Sequence, residues 1–214
     1  MISGASCQSK DNTTNQQRAL KAQQTITPIE IATIDGLDRA YFASGCFWCV
    51  EAIYESLKGV KESISGYSGG HTQNPTYASS NTGRTGHAEA VEIIYNAQEI
   101  RFSDLVDVYF GSQNIEQVNG QGPDRGSQYR SIIFYQNQAQ KDIIDSKIKE
   151  LEQTLGKGNV AAQVLPFEKF WPGESYHQNY ERLHPNNPYI QNVSIPRLRK
   201  FQKKFPDLLK TKKH

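Results

Sequence analysis

The fold of this chain is set first by the stretch AYFASGCFWCV, residues 40–50. The apolar run 40–43 predicts a short β-strand, and the helical spacing of the apolar residues that follow predicts an α-helix over about 46–57. Cys46 would then lie at the N-terminus of this helix, where unpaired backbone N–H groups and the helix dipole stabilise a thiolate. We therefore expect Cys46 to be an ionised, accessible nucleophile.

A second cysteine, Cys49, follows three residues later, so the two thiols would be neighbours on one helix face. Their expected Cα separation of roughly 5 to 6 Å is compatible with a disulfide. The spacing favours a redox-active or nucleophilic Cys46 over an inert, buried core thiol. Phe47 and Trp48 between the cysteines would wall the space in front of the sulfur, which suits a small apolar group.

Two alternatives use the same pair of cysteines. The pair could supply half of a zinc site, but the nearest two histidines, His177 and His184, are seven residues apart and outside the usual ligand spacing. The pair could also perform thioredoxin-like thiol–disulfide exchange, although two bulky aromatic residues would crowd a protein disulfide.

Length and composition predict a single catalytic domain at 28–205, between a disordered polar leader at 1–27 and a basic tail at 206–214. The 24 Lys and Arg against 22 Asp and Glu leave a net charge of only +2, which argues against a nucleic-acid partner. Three cysteines are too few for a disulfide framework.

The sequence contains no apolar run of the roughly 18 residues that a spanning helix needs, so as written it indicates a cytoplasmic protein without a spanning segment. The small residues 2–6 before Cys7 resemble the end of a bacterial lipoprotein signal. A membrane-anchored lipoprotein carrying its lipid on Cys7 is therefore the alternative, if the true start lies upstream. The polar leader is the interpretation that we favour.

The order of the predicted elements indicates an α+β fold. Strand, helix, strand, strand, helix and strand form the ferredoxin-like split βαβ order, βαββαβ, with an appended helix and strand and with C-terminal helices. Strands are predicted at 40–44, 60–67, 88–95, 129–135 and 160–167, and long loops at 68–86 and 112–127. Helices are predicted near 46–57, 103–110, 144–155, 174–183 and 195–204.

Glu89 is a charged residue in an otherwise Ala- and Ile-rich strand. Strand alternation places it on the same side as Val91 and opposite Ala88 and Ala90. A carboxyl group desolvated in this way has a raised pKa and can donate a proton near neutral pH. A solvent-exposed strand charge is the alternative.

Five motifs occur in one order: GCFW at 45–48, GYSGG at 66–70, NPTY at 74–77, TGHAEA at 85–90 and QYRS at 128–131. Together, over about 40–185, they resemble the peptide methionine sulfoxide reductases of the A type. The resemblance implies reduction of the S epimer of methionine sulfoxide, free or in oxidised proteins, to methionine.

The same resemblance implies the roles of the substrate contacts. Cys46 is the nucleophile that becomes a sulfenic acid, and Glu89 gives a proton to the sulfoxide oxygen. The hydroxyl groups of Tyr77 and Tyr129 bind that oxygen, Phe47 and Trp48 receive the ε-methyl group, and Asp124 helps to order the site.

Cys49 distinguishes this chain, because many relatives have Gly at this position and bring resolving cysteines from a C-terminal tail. Here no cysteine follows Cys49, so we expect Cys49 to resolve the Cys46 sulfenic acid as a disulfide. An external thiol or Cys7 are the alternatives. Gln113-Asn114, where relatives commonly read His-Asp, is a second departure, and no role is assigned to it.

The resemblance implies an enzyme without a bound cofactor or metal, recycled by thioredoxin or a similar dithiol, and we expect a monomer. Two other functions stay open on the residues alone. The chain could be a general thiol–disulfide oxidoreductase that uses Cys46 and Cys49, or a non-catalytic module that binds methionine-rich peptides.

Overall fold

The strand and the helix expected on either side of residue 45 both form in a computed structural model, which describes residues 26–211. Strand β1 (Asp38–Ser44) is followed by Gly45 and by helix α1 (Phe47–Glu55), for which Cys46 is the N-cap residue. Gly45 has φ +83°, and a Cβ atom there would lie 2.5 Å from Cβ of Gln121. Only glycine therefore allows the chain to turn this sharply into the helix.

Six strands form one mixed sheet in the order β7-β6-β1-β3-β2-β8, and its neighbours are antiparallel except for the parallel pair β6 and β7. The sheet strands after β1 are β2 (Val60–Ser68), β3 (Ala88–Tyr95), β6 (Ser131–Tyr135), β7 (Gln163–Pro166) and β8 (Phe170–Pro172). A separate two-stranded ribbon consists of β4 (Gly120–Gln121) and β5 (Asp124–Arg125). The described chain is thus a mixed α+β fold.

The remaining helices are α2 (Tyr77–Ser80), α3 (Phe102–Gly111), α4 (Gln138–Leu155), α5 (Tyr180–Leu183) and α6 (Ile195–Lys204). Three-residue 3₁₀ turns occur at Ser127–Tyr129, Ser175–His177 and Pro206–Leu208, and a π-helical turn at Ile190–Ser194 leads into α6.

The two faces of β1 bury different cores, because alternate residues of a strand point to opposite sides. Phe42 lies in the main core with Ile53 of α1 and Leu105 of α3. Tyr41 faces the other way and stacks on Phe167 with the ring centroids 3.7 Å apart. The main core thus lies between the sheet and helices α1 and α3. The site described below lies at the N-terminal end of α1.

Several boundaries differ from the sequence-based prediction. Helix α4 begins at Gln138, six residues before the predicted start at 144, because Asn137 caps it by accepting a hydrogen bond from the Gln140 backbone N–H. The first turn of this helix is polar, so the spacing of apolar residues could not indicate where the helix begins. The loops predicted at 68–86 and 112–127 contain α2 and the β4–β5 ribbon, and the short edge strand β8 was not predicted at all.

The tail predicted at 206–214 does not begin at 206. Leu209 forms a β-bridge with Leu57, and Lys210 donates its backbone N–H to the Ser56 carbonyl at 2.9 Å. The chain therefore packs against the end of α1 through Lys210. Residues 1–25, with Cys7 and almost all of the predicted leader, and residues 212–214 lie outside the described part. Among residues 26–211, no helix combines the length and the apolar character needed to cross a membrane.

Candidate active site

The two cysteines lie one turn apart at the start of α1, and both are free thiols. Cys46 keeps 6% of its surface exposed and Cys49 keeps 2%. Each thiol shifts the pKa of the other, so the two titrate as one coupled pair. The accessible Cys46 that the sequence predicted is in fact recessed.

The surroundings of this pair favour the thiolate form of Cys49 over that of Cys46. Burial, followed by the hydrogen bond and the charge of Cys49, raises the pKa of Cys46 well above its usual range. The hydrogen bond from Cys46 lowers the pKa of Cys49 to about 7, and Arg197 contributes to this lowering while burial opposes it. Burial and the neighbouring thiol therefore work against the thiolate that the helix N-terminus was expected to stabilise on Cys46.

Glu89 occupies the helix terminus that was expected to serve the sulfur. Its Oε2 accepts a hydrogen bond from the Phe47 backbone N–H at 3.0 Å. The side chain is 2% exposed and faces the main core with Val91, so the exposed strand charge is excluded. Burial raises the pKa of Glu89 to about 8, and the nearby charges of Asp124 and Cys49 add to the shift. Glu89 is therefore mostly protonated at neutral pH.

Aromatic rings enclose the space beside the cysteine pair. Trp48 stacks on Tyr180 with the ring centroids 3.8 Å apart, and its indole Nε1–H donates to Nδ1 of His177 at 3.2 Å. The Phe47 ring lies 4.8 Å from the His177 ring and 6.3 Å from that of Tyr77. These contacts fix both predicted wall residues in place.

Tyr77 and Tyr129 are partly buried, and both lie near Glu89 and Cys46. Tyr77 begins α2, and its backbone N–H donates to Oε1 of Glu174 at 2.9 Å. Tyr129 ends the 3₁₀ turn before β6. Burial raises the pKa of both hydroxyl groups, and the nearby acidic groups of Glu89 and Cys46 contribute to the shift. Both therefore remain hydrogen-bond donors at neutral pH.

Asp124 reaches the cysteine pair through a tyrosine that the sequence analysis missed. The Tyr189 hydroxyl donates to Oδ2 of Asp124 at 2.6 Å and lies 3.7 Å from Sγ of Cys49. Burial raises the pKa of Asp124, and the hydrogen bond from Tyr189 opposes the shift. Tyr189 lies after the last predicted motif in a π-helical region, so no period or motif pointed to it.

His177 and Arg197 were also missed as site residues, since His177 was considered only as a zinc ligand. His177 is 1% exposed, and burial lowers its pKa, so the ring is neutral. Because Nδ1 accepts from Trp48, its proton lies on Nε2. Within residues 26–211, no group of three His, Cys, Asp or Glu side chains is arranged to hold a metal ion.

Gln113 of the divergent Gln113-Asn114 pair supports the turn from below. Its Oε1 accepts hydrogen bonds from Ser131 Oγ at 2.7 Å and from Gln121 Nε2 at 3.2 Å. Gln121 is also the residue that a Cβ atom on Gly45 would approach to 2.5 Å. Gln113 therefore contributes to the residues that pack around the turn at Gly45 and does not itself contact the cysteines in the hydrogen bonds described.

The family model for peptide methionine sulfoxide reductase matches residues 38–209. The chain belongs to this family. The match spans all the predicted site residues, and it makes the chain an enzyme, an oxidoreductase that reduces methionine sulfoxide.

Curated members of the family are similar over most of this chain. The Pasteurella multocida peptide methionine sulfoxide reductase MsrA is 43% identical over 172 residues, which are 80% of this chain and 98% of that protein. The Saccharolobus solfataricus MsrA is 42% identical over 182 residues, which are 85% of this chain and 98% of that protein.

Solved structures of family members share the fold. Methionine sulfoxide reductase A of Corynebacterium diphtheriae is 28% identical with a TM-score of 0.64, over 74% of this chain and 82% of that chain. Reduced Mxr1 from Saccharomyces cerevisiae is 30% identical with a TM-score of 0.65, over 73% of this chain and 91% of that chain.

Proposed function

We propose that this peptide methionine sulfoxide reductase acts on the S epimer of methionine sulfoxide, free or protein-bound, through a sulfenic acid on Cys46. The observation that carries the proposal is the buried carboxyl of Glu89, held at the N-terminus of the helix that Cys46 begins. Its pKa of about 8 leaves it able to give a proton at neutral pH. A sulfoxide oxygen is a poor leaving group until it is protonated.

In the first step, Cys46 passes its proton to the Cys49 thiolate and becomes the nucleophile. The Cys46 sulfur attacks the sulfoxide sulfur while Glu89 protonates the oxygen. The new bond between the two sulfurs and the bond between the substrate sulfur and oxygen then break as the protonated oxygen passes to Cys46, methionine leaves, and Cys46 carries a sulfenic acid. The substrate sulfur is reduced by two electrons and Cys46 is oxidised by two.

Substrate orientation follows from the sides of the site. The phenols of Tyr77 and Tyr129 donate hydrogen bonds to the oxygen, and Phe47 and Trp48 receive the ε-methyl group. Asp124 acts through Tyr189, whose hydroxyl it holds beside Cys49. The S epimer presents its oxygen to the donors and its methyl group to the rings together.

Cys49 then resolves the sulfenic acid. Its sulfur forms a bond to Cys46 Sγ, the bond between Cys46 sulfur and oxygen breaks, and the oxygen leaves as water with the Cys49 proton. Thioredoxin or another dithiol reduces the disulfide, and no bound cofactor takes part. Supporting this role, Cys49 lies one helical turn from Cys46, and both are free thiols.

We also propose that the core is a ferredoxin-like split βαβ unit within a single catalytic domain, which starts near residue 28 and includes the residues that pack against α1 up to Lys210, and that the enzyme is a monomer. The sheet order β6-β1-β3-β2, with β1 and β2 parallel on either side of β3, supports the split βαβ assignment.

Turnover of resolved S and R epimers of a methionine sulfoxide derivative with dithiothreitol as reductant tests the activity. We expect the S epimer alone to be reduced, and Cys46→Ser to abolish the reaction. A general thiol–disulfide oxidoreductase or a binding module would reduce neither epimer. If wild-type protein leaves the S epimer unchanged, the proposal is wrong.

Mass spectrometry after a single turnover without reductant tests the resolving step. We expect one internal disulfide between Cys46 and Cys49 in the wild type. In Cys49→Ser we expect a sulfenic acid on Cys46 that dimedone traps. An internal disulfide in Cys49→Ser would instead assign resolution to Cys7.

A further inference from the structure

A guanidinium group lies beneath the turn that presents the cysteine pair. Arg197, near the start of α6, donates from Nη1 to the Ser44 carbonyl at 3.0 Å and from Nη2 to Ser44 Oγ at 3.1 Å. Its Nε–H donates to the Ser112 carbonyl at 3.0 Å. Nη1 is also 3.6 Å from the position that a Gly45 Cβ would occupy. Three directional contacts therefore fix the charge two residues from Cys46.

All three hydrogen-bond acceptors of Arg197 are neutral. Among residues 26–211, the ion pairs include none with Arg197. The positive charge is therefore not cancelled by direct contact with a carboxylate, and its field extends to neighbouring acids. A helix was predicted at 195–204, and no role was assigned to its residues.

Two of the acids that this field reaches can be ionised near neutral pH. Arg197 favours the anionic form of Cys49 and of Asp124, and also acts on the fully buried phenols of Tyr54 and Tyr109. The raised pKa of each phenol keeps it neutral, so the cysteine pair and Asp124 are the acids on which the charge acts.

Other titratable groups face the cysteines from each neighbouring element. Glu89 of β3, when ionised, raises the pKa of Cys46. Tyr189 is hydrogen-bonded to Asp124 of β5. Ser194 lies beside Cys49 and donates its hydroxyl to Glu181 of α5. The phenols of α2 and of the turn before β6 complete the surroundings. None of these groups is cationic, which leaves Arg197 as the positive charge at the pair within the described chain.

We propose that Arg197 is a positioning residue that keeps the Cys46–Cys49 pair singly ionised at neutral pH. The attack on the sulfoxide needs this state, because Cys46 must pass its proton to an ionised Cys49 before its sulfur can react. The role in turnover rests on the proposed function, whereas the ionisation is a property of the substrate-free protein.

Ionisation is measured on reduced, substrate-free protein by the ultraviolet absorbance of the thiolate against pH. A Cys7→Ser background removes the third thiol. We expect a midpoint near pH 7 in this background, in line with the pKa of Cys49 of about 7. Arg197→Gln should raise the midpoint by about one pH unit, the effect of losing a nearby opposite charge. Arg197→Lys keeps the positive charge, so its midpoint should lie close to that of the Cys7→Ser background.

The change in thiolate midpoint should also change the rate of S-sulfoxide reduction. At pH 7, Arg197→Gln should reduce S-sulfoxide about fivefold more slowly, the ratio of ionised fractions for a one-unit shift from pH 7. The deficit should shrink as the pH rises. Arg199→Gln is the matched control, because it removes an exposed arginine from the same helix and should change neither measurement.

An unchanged thiolate midpoint in folded Arg197→Gln would overturn the inference. If that variant does not fold, the ¹⁵N resonance of Arg197 Nε in the Cys7→Ser background gives a second measurement. It should move with the same midpoint as the thiolate absorbance, and a resonance that stays constant through the titration would also overturn the inference. Wild-type protein that ionises as expected but does not reduce the S epimer would instead refute the proposed function.

Discussion

The backbone N–H of Phe47 donates to Oε2 of Glu89 at 3.0 Å. The first free amide of α1 therefore binds a carboxyl group from β3 instead of the Cys46 sulfur. A proton donor and a nucleophile are thereby attached to the same helix terminus, and their spacing cannot change without moving α1 against the sheet.

Glu89→Gln keeps the size and the hydrogen-bonding capacity of the side chain but removes the transferable proton. We expect reduction of the S epimer to fall about 10²- to 10³-fold, in the range of a general acid. Rapid-quench measurement of the first turnover reports this step directly. Glu92→Gln on the same strand is the control, and we expect it to react at nearly the wild-type rate.

The pH profile of turnover should have a narrow maximum. The cysteine pair must lose one proton, so the rate rises through about pH 7, and Glu89 must stay protonated, so the rate falls through about pH 8. These apparent values belong to the coupled site. In Glu89→Gln the falling limb should disappear while the rising limb remains. A falling limb that persists in this variant would assign it to another group.

Trp48→Ala should weaken substrate recognition. The change removes the indole that stacks on Tyr180 and donates to His177, and with it an apolar surface for the methyl group. We expect kcat/KM for the S epimer to fall at least about tenfold. Trp171→Phe, on edge strand β8, should leave kcat/KM near wild type. Equal losses in both variants would contradict a specific role for Trp48.

Gly45→Ala should destabilise the protein more than an ordinary glycine substitution. The new Cβ would meet Gln121 at 2.5 Å in a backbone with φ +83°. We expect the free energy of unfolding to fall by about 3 kcal/mol, from strain and overpacking together. Gly36→Ala separates the two causes, because Gly36 has φ +73° with no atom within 4 Å.

Urea denaturation of both variants measures the difference. Gly36→Ala should cost about 1 kcal/mol, the backbone strain alone. If the two variants lost the same stability, the close approach to Gln121 would not matter.

Local patterns in the sequence predicted the elements that carry the site. The strand-to-helix turn at Gly45 and the burial of Glu89 both follow from short-range periodicity, and both are present. Tyr189 and Arg197 could not be predicted in this way. They lie more than 130 residues after Cys46 in sequence and approach it only because α6 packs beside α1.

The ionisation of the cysteine pair could not be predicted from the sequence for a related reason. A helix N-terminus favours a thiolate, but its effect depends on which group accepts the terminal N–H and on how far the sulfur is buried. Both depend on tertiary packing between Glu89 and Phe47. Helix α4 shows the same limit on a smaller scale, since a capping side chain extended it beyond its apolar pattern.

The burial of Cys49 at 2% exposure has a consequence for the recycling of the enzyme. A methionine side chain is slender enough to reach a recessed sulfur, but a protein dithiol must bring its own backbone close to the bond that it cleaves. Tyr189, whose hydroxyl lies 3.7 Å from Sγ of Cys49, is therefore among the groups that a protein reductant has to displace to reach that sulfur.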